Sequence, residues 1–150
     1  MNMNSIYALV AIGLVGAGFA AAEAEPRTFH LSQDRYLASG NVALEEGRFE
    51  DALRNFRMAV RKNITERERT ITFNSICAVE NILGHAEAAV EACDAAIKAD
   101  KAYWKAYVNR GNARAALGNH DGAIKDYCRA NELSPAKVSG TFEERCNAQS

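Results

Sequence analysis

The sequence predicts an all-α protein built as an α-solenoid of three antiparallel helix hairpins. One observation is internal similarity, because the segment from Cys77 to Gly84 matches the segment from Gly111 to Gly118 at a shift of 34 residues. Another is that glycine recurs where each hairpin should turn. A repeat of this length is one helical unit that buries its apolar face only by stacking on its neighbours. The repeat therefore predicts stacked hairpins.

Three copies of the unit follow one another, the first lying 37 residues upstream of the middle one. The three extra residues fall in the polar stretch 63–69, which predicts a lengthened loop. The first helix of each hairpin is predicted over 33–46, 70–83 and 104–117, and the second over 49–62, 86–99 and 120–133. Gly47, Gly84 and Gly118 separate the two helices, where a helix end favours a positive φ. Pro135 ends the last helix.

Small residues are expected where the two helices of a hairpin approach each other. Gly40 and Gly111 on first helices are predicted to face Ala52 and Ala123 on second helices, since larger side chains would force the axes apart. Aromatic residues are predicted to fill the wider gaps around this contact: Tyr36, Phe56, Phe73, Tyr107 and Tyr127.

The order Tyr107, Gly111, Leu117-Gly118, Ala123, Tyr127, Ala130 and Pro135 resembles the tetratricopeptide repeat. Ser39, Arg110 and Lys101 depart from the residues that this family favours. The resemblance covers about residues 33–135 and divides them into repeats 33–66, 70–103 and 104–135. Residues 25–32 are then an N-terminal linker, and residues 136–150 a tail with a short capping helix.

The N-terminal segment 1–24 is predicted to be a signal peptide. Residues 6–22 carry no charged side chain, and A-x-A cleavage sequences follow at Ala20–Ala22 and Ala22–Ala24. No Lys or Arg precedes the apolar run, so the alternative is an uncleaved anchor that would hold the protein at a membrane. The prediction is a periplasmic or secreted protein.

Composition argues against several classes of function. The formal net charge is −1, so no basic field would attract nucleic acid. His30, His85 and His120 have no partner at the spacing of a metal site or a catalytic triad. We therefore expect no enzyme activity, no cofactor and no metal.

The four cysteines predict two disulfides if the protein is exported. On the repeat frame, Cys77 stands in the place of the glycine and Cys93 in the place of the aromatic residue, both inside the middle hairpin. A Cys77–Cys93 bond would link its helices; buried free thiols are the alternative. A Cys128–Cys146 bond would hold the capping helix, which would begin after Ser139 or Thr141.

The resemblance implies a concave groove, lined mainly by the first helices, that binds a peptide or protein segment. Carried over by position, the lining is Asp34, Leu37, Asn41, Leu44, Ile71, Asn74, Ala78, Asn81, Lys105, Val108, Asn109 and Asn112. Asparagine offers a donor and an acceptor, which suits binding to a peptide backbone. The alternative is a solvated helix face with scattered asparagines.

Chaperone-binding members of the family hold a terminal carboxylate with Lys, Asn and Arg side chains. Only Asn41 and Lys105 match that set, whereas Leu37, Ser75 and Asn109 replace its other members. The sequence predicts that this clamp is absent. The expected function is a non-enzymatic scaffold for another protein. The alternative is a structural component that self-associates in an envelope complex.

Overall fold

The structure, a computed structural model, describes residues 35–137 and Cys146, which belong to one compact unit. Six α-helices follow one another in the described part: α1 (Arg35–Glu45), α2 (Phe49–Ala59), α3 (Glu66–Ile82), α4 (Ala86–Ala99), α5 (Trp104–Ala116) and α6 (His120–Leu133). The described residues contain no strand. Each odd-numbered helix packs against the next helix as an antiparallel hairpin, and the hairpins stack in chain order. This architecture confirms the predicted all-α solenoid.

The three turns within hairpins share one backbone geometry. Gly47, Gly84 and Gly118 have φ of 71°, 79° and 76°, a region that glycine enters without steric cost. In each turn the N–H after the glycine donates to a carbonyl five residues back, as from Arg48 to Ala43 at 2.8 Å. This bond satisfies a carbonyl that the helix end leaves unpaired. The predicted role of the glycines is confirmed.

The loop between the first two hairpins is differently placed from the prediction. Helix α2 ends at Ala59 rather than at residue 62, and α3 begins at Glu66 rather than at residue 70. The early start follows from a capping box. The Thr65 hydroxyl accepts from the Glu68 N–H at 3.2 Å, and the Glu68 carboxylate accepts from the Thr65 N–H at 2.9 Å. The observed loop over 60–65 thus lies three to four residues earlier in the chain than the predicted loop over 63–69.

Inside the outer hairpins, glycine faces an aromatic ring. A Cβ atom built on Gly40 would lie 2.6 Å from the ring of Phe56, and one on Gly111 would lie 2.6 Å from the ring of Tyr127. The atoms nearest to each glycine thus belong to the aromatic ring, and the contact with the buried Ala52 and Ala123 stays a prediction. An aromatic ring needs more room than a methyl group, so it takes the space that the missing side chain leaves.

The middle hairpin has cysteines at the same two places. Cys77 on α3 and Cys93 on α4 correspond to the glycine and the aromatic residue of the outer hairpins, and both are fully buried. The structure joins them, with Cα atoms 5.3 Å apart. This separation lies within the range that a disulfide needs.

Successive hairpins are connected through one repeated place on the second helix. At this place in α2, Arg57 pairs with Glu80 of α3, whose side chain is only 1% exposed. At the equivalent place in α4, Asp94 pairs with Arg110 of α5. The charges are reversed between the two pairs, because the second helix supplies the cation in the first pair and the anion in the second. In both cases the next hairpin carries the opposite charge.

Arg110, which replaces an expected leucine, belongs to a partly buried ionic cluster around the buried Asp126. Its guanidinium donates to both oxygens of Asp126 at 2.9 and 2.6 Å, and Arg114 donates to Asp126 at 2.8 Å. Burial opposes the charge of Arg110, but the hydrogen bonds that it donates to Asp126 and Asp94 outweigh this effect and raise its pKa. Arg110, a departure from the family pattern, is thus paired with Asp126 on α6.

Cys128 occupies in α6 the repeat place that Arg57 and Asp94 occupy in α2 and α4. The structure joins it to Cys146, with Cα atoms 5.5 Å apart and Cys146 in helical conformation. In the last hairpin the disulfide to Cys146 thus starts from the repeat position that, in the first two hairpins, forms the ion pair with the next hairpin. The rest of the predicted capping helix, like the predicted signal peptide and linker, lies outside the described residues.

Candidate protein-binding groove

The first helices of the hairpins form the inner layer of the stack. Helix α3 packs directly against α5, whereas in the described part neither α1 and α3 nor any two second helices pack to a comparable extent. Helices that approach one another lie on the inner side of a curved array. The face of α1, α3 and α5 that points away from the second helices is therefore the concave side, here called the groove.

Most residues predicted to line the groove have accessible side chains. Four are exposed: Asn41, Ile71, Lys105 and Asn112. Six are partly buried: Leu44, Asn74, Ala78, Asn81, Val108 and Asn109. Leu37 is different, because it is only 6% exposed and packs in the core of the first hairpin. Its assignment to the groove surface is wrong. Asp34 lies outside the described residues.

The predicted asparagines form hydrogen bonds between helices. Asn109 of α5 donates to the side-chain oxygen of Asn74 on α3 at 3.0 Å, and Asn81 donates to the backbone carbonyl of Asn109 at 2.8 Å. Asn112 accepts from the hydroxyl of Tyr127 at 2.8 Å. Asn74, Asn81 and Asn109 hold α3 beside α5 and so shape the groove wall, whereas Asn112 links α5 to α6. Part of their bonding capacity is already used within the protein.

An apolar stripe along α3 extends further than predicted. Ile71, Ala78 and Ile82 are spaced by seven and four residues, which places them on one helix face. Ile82 has an exposed fraction of 56%, the largest among the exposed large apolar side chains of the described part. It was missed because it ends a helix beside Leu83 and Gly84 and looks like a buried turn residue. Its four-residue spacing from Ala78 is the signal that identifies it.

A cleft of about 600 Å³ opens at the end of the groove where α3 and α5 begin. It is lined by Glu66, Arg67, Thr70, Ile71, Ala99, Asp100, Tyr103 and Lys105. The cleft thus includes two residues predicted for the groove, Ile71 and Lys105. Burial raises the pKa of Tyr103, and the negative charge of Asp100 adds to the rise, while the positive charge of Arg67 opposes it.

The set of side chains that holds a terminal carboxylate in chaperone-binding relatives is incomplete. Leu37 is buried, and the side chain of Asn109 is bonded to Asn74. Of the matching residues, Asn41 and Lys105 are both exposed. Two of the five places therefore carry a suitable, accessible side chain.

The histidines and carboxylates of the described part form no group of three or more that would hold a metal ion. His85 contacts the buried carboxylate of Glu80 at 2.9 Å, and His120 is exposed at the start of α6. His30 lies outside the described residues. Among the helices that the structure describes, none has the length and apolar character needed to cross a membrane.

Comparison with known sequences places the repeats in a family. Residues 83–136 match the family model for the tetratricopeptide repeat. The FK506-binding protein-like protein of mouse is 34% identical over 68 residues, which are 45% of this chain and 20% of that protein. The human FK506-binding protein-like protein is 30% identical over 103 residues, or 65% of this chain and 30% of that protein. The chain thus corresponds to less than a third of these relatives.

Solved structures share the arrangement of the helices. The tetratricopeptide domain of Arabidopsis OM64 superposes with a TM-score of 0.66 at 25% identity, covering 77% of this chain and 93% of that one. The first such domain of Spaghetti (RPAP3), bound to the HSP90 peptide SRMEEVD, gives 0.66 at 23% identity, covering 76% and 90%. Together with the 34-residue period and the family model, this shared fold identifies the chain as a tetratricopeptide-repeat protein.

Proposed function

We propose that this chain is a non-enzymatic scaffold that holds a segment of another protein in its groove. The observation that carries the proposal is the apolar stripe formed by the exposed Ile71 and Ile82 and the partly buried Ala78, which lies beside amide side chains on the concave side. An exposed apolar surface bordered by polar groups is typical of a protein-binding site. The fold is also that of domains whose structures contain bound peptides.

The chemistry of the groove suits a segment recognised largely through its backbone. Asn41 and Asn112 are exposed, and each amide offers both a donor and an acceptor to a peptide group. The apolar side chains on α3 would contact the side chains of the segment. Because Asn74 and Asn109 hold the helices together, the groove is already formed before a partner arrives, which reduces the entropy lost on binding.

A photo-crosslinking experiment tests the site. A photoreactive residue placed at Ile82 should crosslink a partner in the native compartment, whereas one placed at the exposed Glu91 on the second-helix side should not. The captured protein is then purified and titrated. Ile82→Arg should weaken its binding by about 30-fold if this side chain is a central contact, and Glu91→Arg should leave it unchanged. Equal labelling from both positions, or equal affinities, would contradict the groove proposal.

We further propose that the protein is exported to the periplasm or outside the cell. The predicted signal peptide over 1–24 supports this, as does the pairing of all four cysteines at distances that suit disulfides. Disulfides of this kind persist in oxidising compartments and are rare in the cytosol. The proposal of an uncleaved anchor differs only in the fate of the leader.

Mass measurement of the intact protein from its native compartment tests export. We expect a chain that begins after Ala22 or Ala24 and is four hydrogen atoms lighter than its fully reduced form. A mass that includes the leader, with all four thiols free and open to alkylation, would contradict export. A mass that includes the leader but shows two disulfides would indicate the anchored form.

A further inference from the structure

The two disulfides differ in their access to solvent. Cys77 and Cys93 are fully buried and belong to the hydrophobic core, where apolar side chains of α3 and α4 surround them. Cys128 and Cys146 are each partly exposed. A thiol in solution therefore reaches the second bond in the folded protein, whereas the first bond is shielded until the middle hairpin opens.

The position of Cys128 at the end of the stack explains this access. Arg57 and Asp94 occupy the same repeat position in α2 and α4, and each pairs with the hairpin that follows it. In the part of the chain that the structure describes, no hairpin follows α6. Cys128 thus occupies a connecting position without a further hairpin to cover it, and its bonded partner there is Cys146.

The helix surface around Cys128 is also open. Lys125 and Glu132 lie one turn before it and one turn after it on α6, and both are exposed. Glu132 pairs with Arg129, and the two side chains have exposed fractions of 64% and 48%. Exposed pairs of this kind contribute little to stability, so they move aside easily. An attacking thiol meets mobile charged side chains here instead of a packed core.

We propose that the Cys128–Cys146 bond is an exchange site for dithiols, and that Cys77–Cys93 is a purely structural bond. The reductant is a dithiol, either a small molecule or a protein with a Cys-x-x-Cys pair. Its thiolate attacks one sulfur, forms a mixed disulfide with it and displaces the other cysteine as a thiolate, which takes up a proton. The second thiol of the reductant then attacks the mixed disulfide and releases the remaining cysteine. Two electrons and two protons thus pass to the cysteine pair, and the dithiol becomes a disulfide.

Exchange changes the chemistry at the end of the stack. The reduced form carries a free thiol at Cys128, at the repeat position through which α2 and α4 contact the next hairpin. Exposed disulfides are the labile and regulatory ones in proteins, whereas shielded structural bonds resist reduction. Cys128 lies on a second helix and outside the groove, so exchange does not depend on the groove proposal.

Timed alkylation of the full chain tests the exchange site. The oxidised protein is treated under native conditions with dithiothreitol or with reduced thioredoxin, and free thiols are alkylated at intervals and located by peptide mass spectrometry. We expect the label to appear at Cys128 and Cys146 at least about 10-fold faster than at Cys77 and Cys93, which serve as the internal control. Reaction with dithiothreitol alone would assign the site to small dithiols, and reaction with thioredoxin as well would assign it to protein dithiols.

Urea below the unfolding transition shows whether each bond reacts in the folded protein. It should speed the reduction of Cys77–Cys93, because that reaction requires the hairpin to open, and it should leave the rate for Cys128–Cys146 unchanged. Equal rates at the two bonds, or the same acceleration of both by urea, would overturn the proposal. Alkylation of Cys128 and Cys146 before any reductant is added would overturn it as well, because there would be no bond to exchange.

Discussion

The outer hairpins and the middle hairpin join their two helices at the same place by different means. In the first and third hairpins, a glycine on one helix admits an aromatic ring from the other, at Gly40–Phe56 and Gly111–Tyr127. In the middle hairpin the structure places a disulfide there. Both kinds of contact fit between two antiparallel helices that pack closely. The difference teaches that this place requires two complementary side-chain sizes rather than particular residues.

The two solutions depend on different physical quantities. A ring packed against glycine stabilises through the apolar area that it buries, so the contact is strongest where water is excluded. Phe56 is fully buried, whereas Tyr127 is partly exposed at the last hairpin. A disulfide stabilises largely by restricting the unfolded chain, so its contribution depends on redox conditions instead of burial. Once the Cys128–Cys146 bond is removed, the middle hairpin should therefore respond to reductant, and the outer ones should not.

The largest expected effect comes from removing the ring of the first hairpin. Phe56→Ala should lower the free energy of unfolding by about 4 kcal/mol, because it leaves a large cavity in the core. Tyr127→Ala should cost about half as much, since part of this ring already contacts water. Denaturant titration followed by circular dichroism measures both values. Equal losses for the two variants would contradict the role assigned to burial.

The next effect concerns the middle hairpin. In a Cys128→Ala/Cys146→Ala background, reductant should lower the free energy of unfolding by about 3 kcal/mol, the value for a loop of this length. Replacing Cys77→Gly and Cys93→Phe transplants the solution of the first hairpin. Unfolding of this variant should not depend on reductant. A transplanted variant that fails to fold would contradict the equivalence of the three hairpins.

The smallest effect distinguishes the two glycine contacts. Gly40→Ala places a methyl group against the buried ring of Phe56, and we expect a net loss of about 1 kcal/mol after the gain in helix propensity. Gly111→Ala should be nearly neutral, because the ring of Tyr127 has room to move toward solvent. Ser39→Ala, at an exposed position of α1, is the control. Thermal unfolding should rank the variants in that order.

Periodicity was enough to predict most of the fold. The 34-residue spacing, the turn glycines and the apolar steps predict hairpins whose later helices begin and end within a residue or two of the observed positions. The exception is the stretch between α2 and α3. There the composition is mostly polar, and the Thr65–Glu68 capping box lies inside the predicted loop. A capping box depends on two residues alone, so the spacing of the apolar residues does not reveal it.

The groove was predicted less well, because its residues are defined by contacts between hairpins. Position in the repeat placed Leu37 on the surface, but packing within the first hairpin buries it. The same positions placed both Asn74 and Asn109 in the groove lining, but the hydrogen bond between them depends on how closely α3 approaches α5. The repeat positions do not assign Ile82 or Arg67 to a binding surface, because Ile82 lies at a predicted helix end and Arg67 in a predicted loop.

The sequence by itself determined the number of hairpins, the turns and the pairing of Cys77 with Cys93 as a candidate, because each depends on local geometry that repeats every 34 residues. Tertiary structure alone decided which glycine meets which ring and how Arg57, Asp94 and Cys128 share one connecting place. It also decided that Arg67 and Lys105 face the same cleft. These relations join residues that are distant in the chain, so they arise only when the hairpins stack and bring their side chains within reach.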